Sequence, residues 1–419
     1  MSLEEAELRG WRTECKTCKA NMHVVYEYEN QSLRAQVKSA LESVAGEPYS
    51  SSSYSPIFFQ IPSLLPIHKE TLEQVRGVLQ RTNSHLPGST QLRKSNRYPG
   101  LYLKCENENP TGSFKDVGTI CEFSKSYELS LIRNSNSSIM QNDQPKEAPF
   151  TLHLASTGNM GISATYYASA LTIPLILHIT NHIHPEKIQK MEEFGLFKGK
   201  VSRCDECATK DGGYDFPQSH VRELFEKAKT GSTMWVGDTT LRIEGCKTIG
   251  YEIFAQLDFK IPDSVIVPVG NGTLLCAIWK AFDELRRMEF STKMPRIYGI
   301  VVPERLYSKV SAIGVSRPVD LTTVFKIVRD TNGGLLSLEE ESIEEGTIRL
   351  GFSEQGIRAE RAGAVSYAAY ERILASSKKE DQTCVALITG SEPMYRRTIQ
   401  SEKPNLNLKT INESLVSNS

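Results

Sequence analysis

PFTLHLASTGNMGISATYYASALTIPLILHIT, residues 149 to 180, carries the pattern on which the fold turns. PFTLHLA (149 to 155) is a short, mostly apolar run of strand length, and STGN is a turn. GISATYYASAL has the length and composition of a helix, and IPLILHIT (173 to 180) is apolar again. Strand, helix and strand in that order make a βαβ unit. The alternation recurs at SVIVPVG (264 to 270), which leads through a glycine turn into TLLCAIWKAFDEL, then at RIYGIVVP (296 to 303) and CVALITG (384 to 390). Such alternation predicts an α/β fold with helices covering mostly parallel sheets.

Working outward, the chain of 419 residues is long enough for two or three units at roughly 150 residues per domain. With 39% hydrophobic and 24% charged residues it has the composition of a globular protein. A formal net charge of -1, with basic residues spread along the chain, lacks the footprint of a nucleic-acid binder, so the expected partner is a small molecule. The start, MSLEEAELRG, is acidic and unlike a secretory signal. No run approaches about 18 apolar residues, so no membrane span is expected and the predicted location is the cytoplasm. Nine cysteines, an odd number, argue for reduced thiols.

Residues 1–56 read as an N-terminal extension. In it Cys15-Lys16-Thr17-Cys18 precedes HVVYEYE, whose alternation predicts a short strand, and the serines from Ser50 to Ser53 suggest a linker. NSNSSIMQNDQPKE (134 to 147) reads as a surface loop, and the tail after about Ser401 as loose.

The chemistry concentrates at Asn109-Pro110-Thr111-Gly112-Ser113-Phe114-Lys115-Asp116. Pro110 and Gly112 make a tight turn. Ser113 is then placed to cap a helix, with Asp116 completing a Ser-x-x-Asp pattern. Lys115 falls in the first turn, where the helix dipole disfavours another positive charge and so favours the amine that attacks an aldehyde.

Four segments in order, KCENENPTGSFKD (104 to 116), ASTGNMG (155 to 161), IVPVGNGT (266 to 273) and ALITG (386 to 390), carry a family resemblance. LRIEGCKTIGYEI (241 to 253) and EQGIRAERAGAVSYAA (354 to 369) fit with them. On these residues the chain resembles the tryptophan synthase β superfamily, the fold type II pyridoxal-phosphate enzymes, and within it most resembles the threonine synthases. The resemblance implies two three-layer α/β/α domains with the cofactor, pyridoxal 5'-phosphate, between them. It implies a large cofactor-binding domain of residues 57–118 and 233–419, and a small mobile domain of residues 119–232 carrying the asparagine loop.

It also assigns residues. Lys115 would hold the cofactor as a Schiff base and act as the catalytic base. Ser156, Thr157, Gly158 and Asn159, a strand-to-helix turn whose amides converge, would grip the substrate's carboxylate, with Ser113 beside them. Asn159 would also face the cofactor's phenolic oxygen. Gly270, Asn271, Gly272 and Thr273 open a helix after an apolar strand and would cradle the phosphate. Thr389 would set a hydroxyl beside the pyridine nitrogen, with Ser391 as the competing residue. The implied reaction converts O-phospho-L-homoserine and water to L-threonine and phosphate, and the implied partner is a small amino-acid substrate carrying phosphate. A homodimer is the candidate assembly.

The chain departs from the family pattern at Val117, at Met160 and over Ser391 to Arg397. These departures keep open a β-replacement or β-elimination on O-phosphoserine, serine or threonine, of the cysteate synthase, cysteine synthase or dehydratase kind. A ligand-sensing relative without catalysis is a further reading. No bound metal is expected. The alternative is a four-thiolate zinc site from the pairs Cys15/Cys18 and Cys204/Cys207, each with ribbon spacing but far apart in the chain.

Overall fold

The structure, a computed structural model, describes residues 24–46, 56–136, 151–377 and 382–392, apart from 83, 85, 89, 157, 181, 182, 184, 210–216, 218, 222, 225–232, 238, 305–308, 316, 317 and 355. Helices cover two sheets. The four-stranded sheet is wholly parallel, in the order β5-β4-β3-β6, from β3 (Thr151–Ala155), β4 (Leu175–His178), β5 (Val201–Arg203) and β6 (Thr233–Trp235). The six-stranded sheet runs β1-β2-β10-β7-β8-β9. It consists of β1 (Leu92–Lys94), β2 (Leu101–Lys104), β7 (Ser264–Pro268), β8 (Arg296–Val301), β9 (Gly334–Ser337) and β10 (Cys384–Leu387). Only its β1–β2 edge is antiparallel.

The strands follow from their composition. Every residue of β7 and of β10 is buried, as expected of parallel strands covered on both faces, which need apolar side chains on both sides of the pleat. The helices, in chain order, are α1 (Gln31–Gly46), α2 (Ile57–Gln60), α3 (Lys69–Arg81), α4 (Lys115–Asn136), α5 (Asn159–Leu171), α6 (Pro185–Phe194), α7 (Asp205–Thr209), α8 (Thr240–Cys246), α9 (Thr248–Gln256), α10 (Thr273–Arg287), α11 (Leu321–Asp330), α12 (Glu340–Ser353) and α13 (Arg361–Ser377). α3 shows how they pack: Leu72, Val75 and Leu79 recur at helical spacing and are buried, so one stripe faces the core while the charges face water.

The described part of HVVYEYE, from Val24 onward, is not a strand. Its alternation has another cause: Tyr26 and Tyr28 both point into the body, where their hydroxyls donate to Glu244 Oε2 at 2.8 Å and Glu284 Oε1 at 3.0 Å. These carboxylates belong to a buried ionic cluster. Lys247 Nζ donates to Glu244 Oε2 at 2.7 Å and Glu284 Oε1 at 3.0 Å, Tyr251 donates to Glu284 Oε2 at 2.8 Å, and Lys280 pairs with Glu244. With Tyr28, Leu33, Val37 and Leu41 in the core of the larger sheet, residues 24–46 are docked on the body. Cys15, Cys18, the serine run from Ser50 and most of the 134–147 stretch lie outside the described residues.

Helix α4, which begins at Lys115, is fixed by α8 at very close range. A Cβ on Gly245 would lie 2.4 Å from Val117 O and 2.8 Å from Cys121 Cβ, and one on Gly118 would lie 2.7 Å from Arg242 Cγ. Arg242, buried, then donates to Glu122 Oε2 at 2.5 Å, to Thr119 Oγ1 at 3.3 Å and to Lys115 O at 3.3 Å. The other Glu122 oxygen accepts from Gly237 N at 2.8 Å and Thr239 Oγ1 at 2.6 Å.

A Gly245→Ala change must therefore push α8 off α4. We expect it to cost about 1–3 kcal/mol, the usual range for overpacking. Gly351→Ala, where the nearest atom to a Cβ would be Ile357 O at 3.9 Å, should be neutral or slightly stabilising. Urea midpoints of the two variants check this, and equal midpoints would refute the close-contact reading.

Candidate active site

The C-terminal ends of the strands and the starts of the helices that follow them enclose one cavity of about 230 Å³. Ser113, Lys115, Ser156, Gly158, Asn159, Gly270, Asn271, Gly272, Thr273 and Thr389 all line it. Residues named from four separate segments thus meet around one space. Thr157 lies outside the described residues. Ser391 packs elsewhere: its amide donates to Gly112 O at 2.7 Å, and a Cβ on Gly112, whose φ is +85°, would run into its hydroxyl. Of the two residues considered for the pyridine nitrogen, Thr389 faces the cavity.

The lysine loop is held from two sides. Ser113 bridges to Gly390, Phe114 N donates to Thr389 O at 3.1 Å, and Ser113 Oγ donates to the same oxygen at 3.2 Å. The predicted Ser-x-x-Asp cap forms only in part. Ser113 Oγ accepts from Lys115 N at 3.3 Å, but the Asp116 carboxylate turns back to Thr111, accepting from its amide at 2.8 Å and its hydroxyl at 2.6 Å. With the Ser113 peptide committed to the end of β10, the carboxylate braces the turn instead of the helix end.

Helix α10 starts at Thr273 after Gly272 in the left-handed region, φ +98°, where a Cβ would also meet Val324 at 2.7 Å. The turn therefore requires glycine, and it aims the unpaired amides of the helix start at the cavity. Thr273 Oγ1 donates to Asp320 Oδ2 at 3.1 Å, and Asp320 N donates to Asn271 O at 2.9 Å.

Four features escaped the sequence reading. Glu360 lines the cavity, and its Oε1 accepts from Asn159 Nδ2 at 2.7 Å. Burial pushes its carboxyl above the usual range, against Lys187, Asn159, Lys115 and Lys190, which pull it down. Glu360 sits in EQGIRAERAG, a segment matched by resemblance but without an assigned role. Arg242 also reaches the cavity wall, as does the segment from Ser311 to Val315, for which no sequence signal existed. On α6, a Cβ at Gly158 would lie 3.6 Å from Lys187 Nζ, and Lys190 Nζ donates to Thr111 O at 2.9 Å. Two ammonium groups thus stand beside the loops that carry Lys115 and Asn159. Cys204 and Cys207, the other pair considered for metal, lie away from this cavity, at the start of α7.

The residues suit pyridoxal phosphate: an amine at Lys115, a helix start behind a glycine turn for the phosphate, a hydroxyl at Thr389, and a cavity of appropriate size between them. Comparison with known proteins agrees. The family model described as pyridoxal-phosphate dependent enzyme matches residues 84–390. The chain is 26% identical over 399 residues to a threonine synthase of Methanosarcina acetivorans, covering 90% of this chain and 86% of that one. It is 29% identical over 351 residues to a threonine synthase of Bacillus sp. (strain ULM1), covering 81% and 90%. Among solved structures, maize serine racemase superposes with a TM-score of 0.53 at 16% identity, covering 83% of this chain and 97% of that one. That likeness is one of fold.

Asp116 offers a test of the loop. Burial pushes its carboxyl up to about 6 from an ordinary 3.8, against hydrogen bonds from Ser163 and Thr111 that lower it. The folded chain holds this proton more tightly than the unfolded chain does. Its contribution to stability is therefore fully present below about pH 4 and is lost as pH rises through about 6. Asp116→Asn has no such proton to lose, so its melting temperature relative to the unaltered chain should climb from about pH 4 to about pH 7. Parallel melting curves over that interval would contradict the assignment.

Proposed function

The chain belongs to the pyridoxal-phosphate dependent enzyme family, and from that premise we propose that it acts as a threonine synthase, converting O-phospho-L-homoserine and water to L-threonine and phosphate. The observation that carries this reading is the pairing of the Lys115–Asn159–Thr389 cavity with two cations, Lys187 and Lys190, beside the same loops. A substrate with a distal phosphate would draw on these ammonium groups, as serine and threonine would not. The similarity to two threonine synthases supports the same reading.

Bound pyridoxal phosphate supplies an electron sink for negative charge developing beside the substrate's amino group. The remaining roles fall to the chain. Lys115 would hold the cofactor and, as a free amine, would take the proton from the substrate's α carbon and then one from the β carbon, returning protons to the γ carbon, which becomes threonine's methyl, and to the α carbon. The start of α10 with Gly270, Asn271, Gly272 and Thr273 holds the cofactor's phosphate. Ser113, Ser156, Thr157, Gly158 and Asn159 hold the substrate's carboxylate. Glu360 takes one of the two Asn159 Nδ2 hydrogens, which fixes the amide's orientation and leaves the second for the cofactor's ring oxygen. Thr389 offers a hydroxyl, not a carboxylate, to the pyridine nitrogen, so that nitrogen need not be protonated. Lys187 and Lys190 hold the leaving phosphate. Met160, in the cavity lining, makes that wall more apolar, which limits water to the step that consumes it.

Two experiments check this. The purified chain should show the absorption of bound cofactor, and Lys115→Ala should lose it on dialysis. Phosphate release should be far faster with O-phospho-L-homoserine than with O-phospho-L-serine, with threonine as the co-product. A preference for phosphoserine would overturn the substrate assignment and leave the cofactor assignment standing. Separately, Lys187→Ala should raise KM for phosphohomoserine about 10- to 100-fold, since a hydrogen bond to a charged group contributes roughly 1.5–3 kcal/mol. An unchanged KM would remove Lys187 from the phosphate site.

A further inference from the structure

Away from the cavity, at the far edge of the smaller sheet, four metal-ligand side chains converge among the described residues: His178, Cys204, Cys207 and His220. We propose that they form a structural zinc site. Three separate pieces of chain supply them. His178 ends β4, Cys204 and Cys207 sit at the start of α7 directly after β5, and His220 lies in a helical stretch around residues 219–221.

The ligand atoms all lie within 4.8 Å of one another. Cys207 Sγ is 3.5 Å from His178 Nδ1, and Cys204 Sγ is 3.8 Å from His220 Nε2. A tetrahedral ion with Zn–S near 2.3 Å and Zn–N near 2.0 Å sets sulfur and nitrogen about 3.5 Å apart. Both pairs therefore stand at ligand spacing without rearrangement. Hydrogen bonding alone would need the groups only in pairs, whereas all four surround one point. Two thiolates balance the charge of a divalent ion, so a neutral assembly results at a place where His178 and Cys207 are buried.

The backbone prepares this arrangement. Cys204 N donates to Leu177 O at 2.8 Å, which brings the Cys204 peptide beside the end of β4. The i to i+3 spacing on α7 then turns Cys207 to the same side. His178 is oriented by a neighbour outside the ligand set: its Nε2 lies 2.9 Å from His153 Nδ1, and the two rings stack at 5.2 Å. An Nε2 proton donated to His153 would leave the Nδ1 lone pair facing Cys207, the kind of support that metal-bound imidazoles use. Two sulfurs and two imidazoles select zinc over calcium or magnesium, and four protein ligands close the site to substrate, so its role is structural. It would fasten the β5–α7 turn and the 219–221 stretch to β4. Helix α6 leaves the sheet after β4 and returns at β5, so the metal would close the base of the excursion that carries Lys187 and Lys190.

This set differs from the four-thiolate one. It keeps Cys204 and Cys207 and replaces Cys15 and Cys18 with histidines.

The test uses the full chain, purified without a histidine tag and with a thiol reductant. Elemental analysis should find about one zinc per chain. Chelator-stripped protein reloaded with cobalt(II) should show the visible bands of a tetrahedral ion with thiolate ligands. Cys204→Ser and His220→Gln should lose the metal while keeping their far-ultraviolet circular dichroism and their cofactor absorption. His153→Ala should bind it on the order of 10- to 100-fold more weakly, as expected for an orienting partner. A Cys15→Ser/Cys18→Ser double variant should keep its full equivalent. Failure to take up zinc or cobalt by the unaltered chain would overturn the site. So would metal that survives His220→Gln but disappears from the Cys15/Cys18 variant. His220 is only partly buried, so its glutamine variant separates ligand loss from loss of the fold. The outcome is independent of which amino acid the enzyme converts.

Discussion

A guanidinium buried against a carboxylate holds the catalytic half of this protein together. Arg242 and Glu122 are almost wholly withdrawn from water, and every partner they have is internal: Thr119, the carbonyl of Lys115, the amide of Gly237 and the hydroxyl of Thr239. Desolvating such a pair costs as much as the attraction returns, so its net gift to stability is small. Its value lies in position. Removing either partner strands the other charge in the core, at roughly 3–5 kcal/mol. The only low-energy arrangement is therefore the one in which α4, α8 and the 237–239 turn meet as they do. Lys115 begins α4, and Gly237 and Arg242 both form cavity wall. One ion pair thus sets the relation between the amine and the wall opposite it.

The same logic recurs on the outer face of the larger sheet. Lys104 donates to Glu252 at 2.6 Å and to Thr90, all buried, and Lys247 and Lys280 share Glu244 and Glu284 beneath Tyr26 and Tyr28. Each cluster joins segments remote in sequence. Apolar packing would join them too, but without specifying which residues face which. The hydroxyls of the tyrosines that fasten residues 24–30 donate to these carboxylates.

What could be read from the chain before folding depended on whether a signal was local. β7 and β10 were legible because strands covered on both faces must be apolar throughout. The turn at Gly272 was legible because few residues other than glycine can open a helix at φ +98°. The cavity was legible as a set of segments, since each carries its own motif. Long-range pairing left no such mark. Tyr26 and Tyr28 alternate as strand residues do, yet they alternate because both reach inward to an ionic cluster. Asp116 has the spacing of a helix cap, and the chain uses it on Thr111 because β10 claims the Ser113 peptide. Glu360 resembles any glutamate near the start of an exposed helix until Asn159 is seen bonded to it. Cys204 and Cys207 announced a pair, but nothing near them in sequence pointed to His178 or His220.

The order of strands in the larger sheet has a temporal side. β10, the last strand among the described residues, inserts between β2 and β7, so two of the sheet's internal edges stay open until residues 384–387 have left the ribosome. The smaller sheet draws only on residues 151–235 and waits for nothing later. The lysine loop leans on Thr389 and Gly390, so its amine is set in place only after those residues have been made. A nascent chain stopped short of β10 carries two open strand edges, on β2 and β7, and no finished site, so an incomplete copy exposes sticky surface but has no competent centre with which to divert cofactor or substrate.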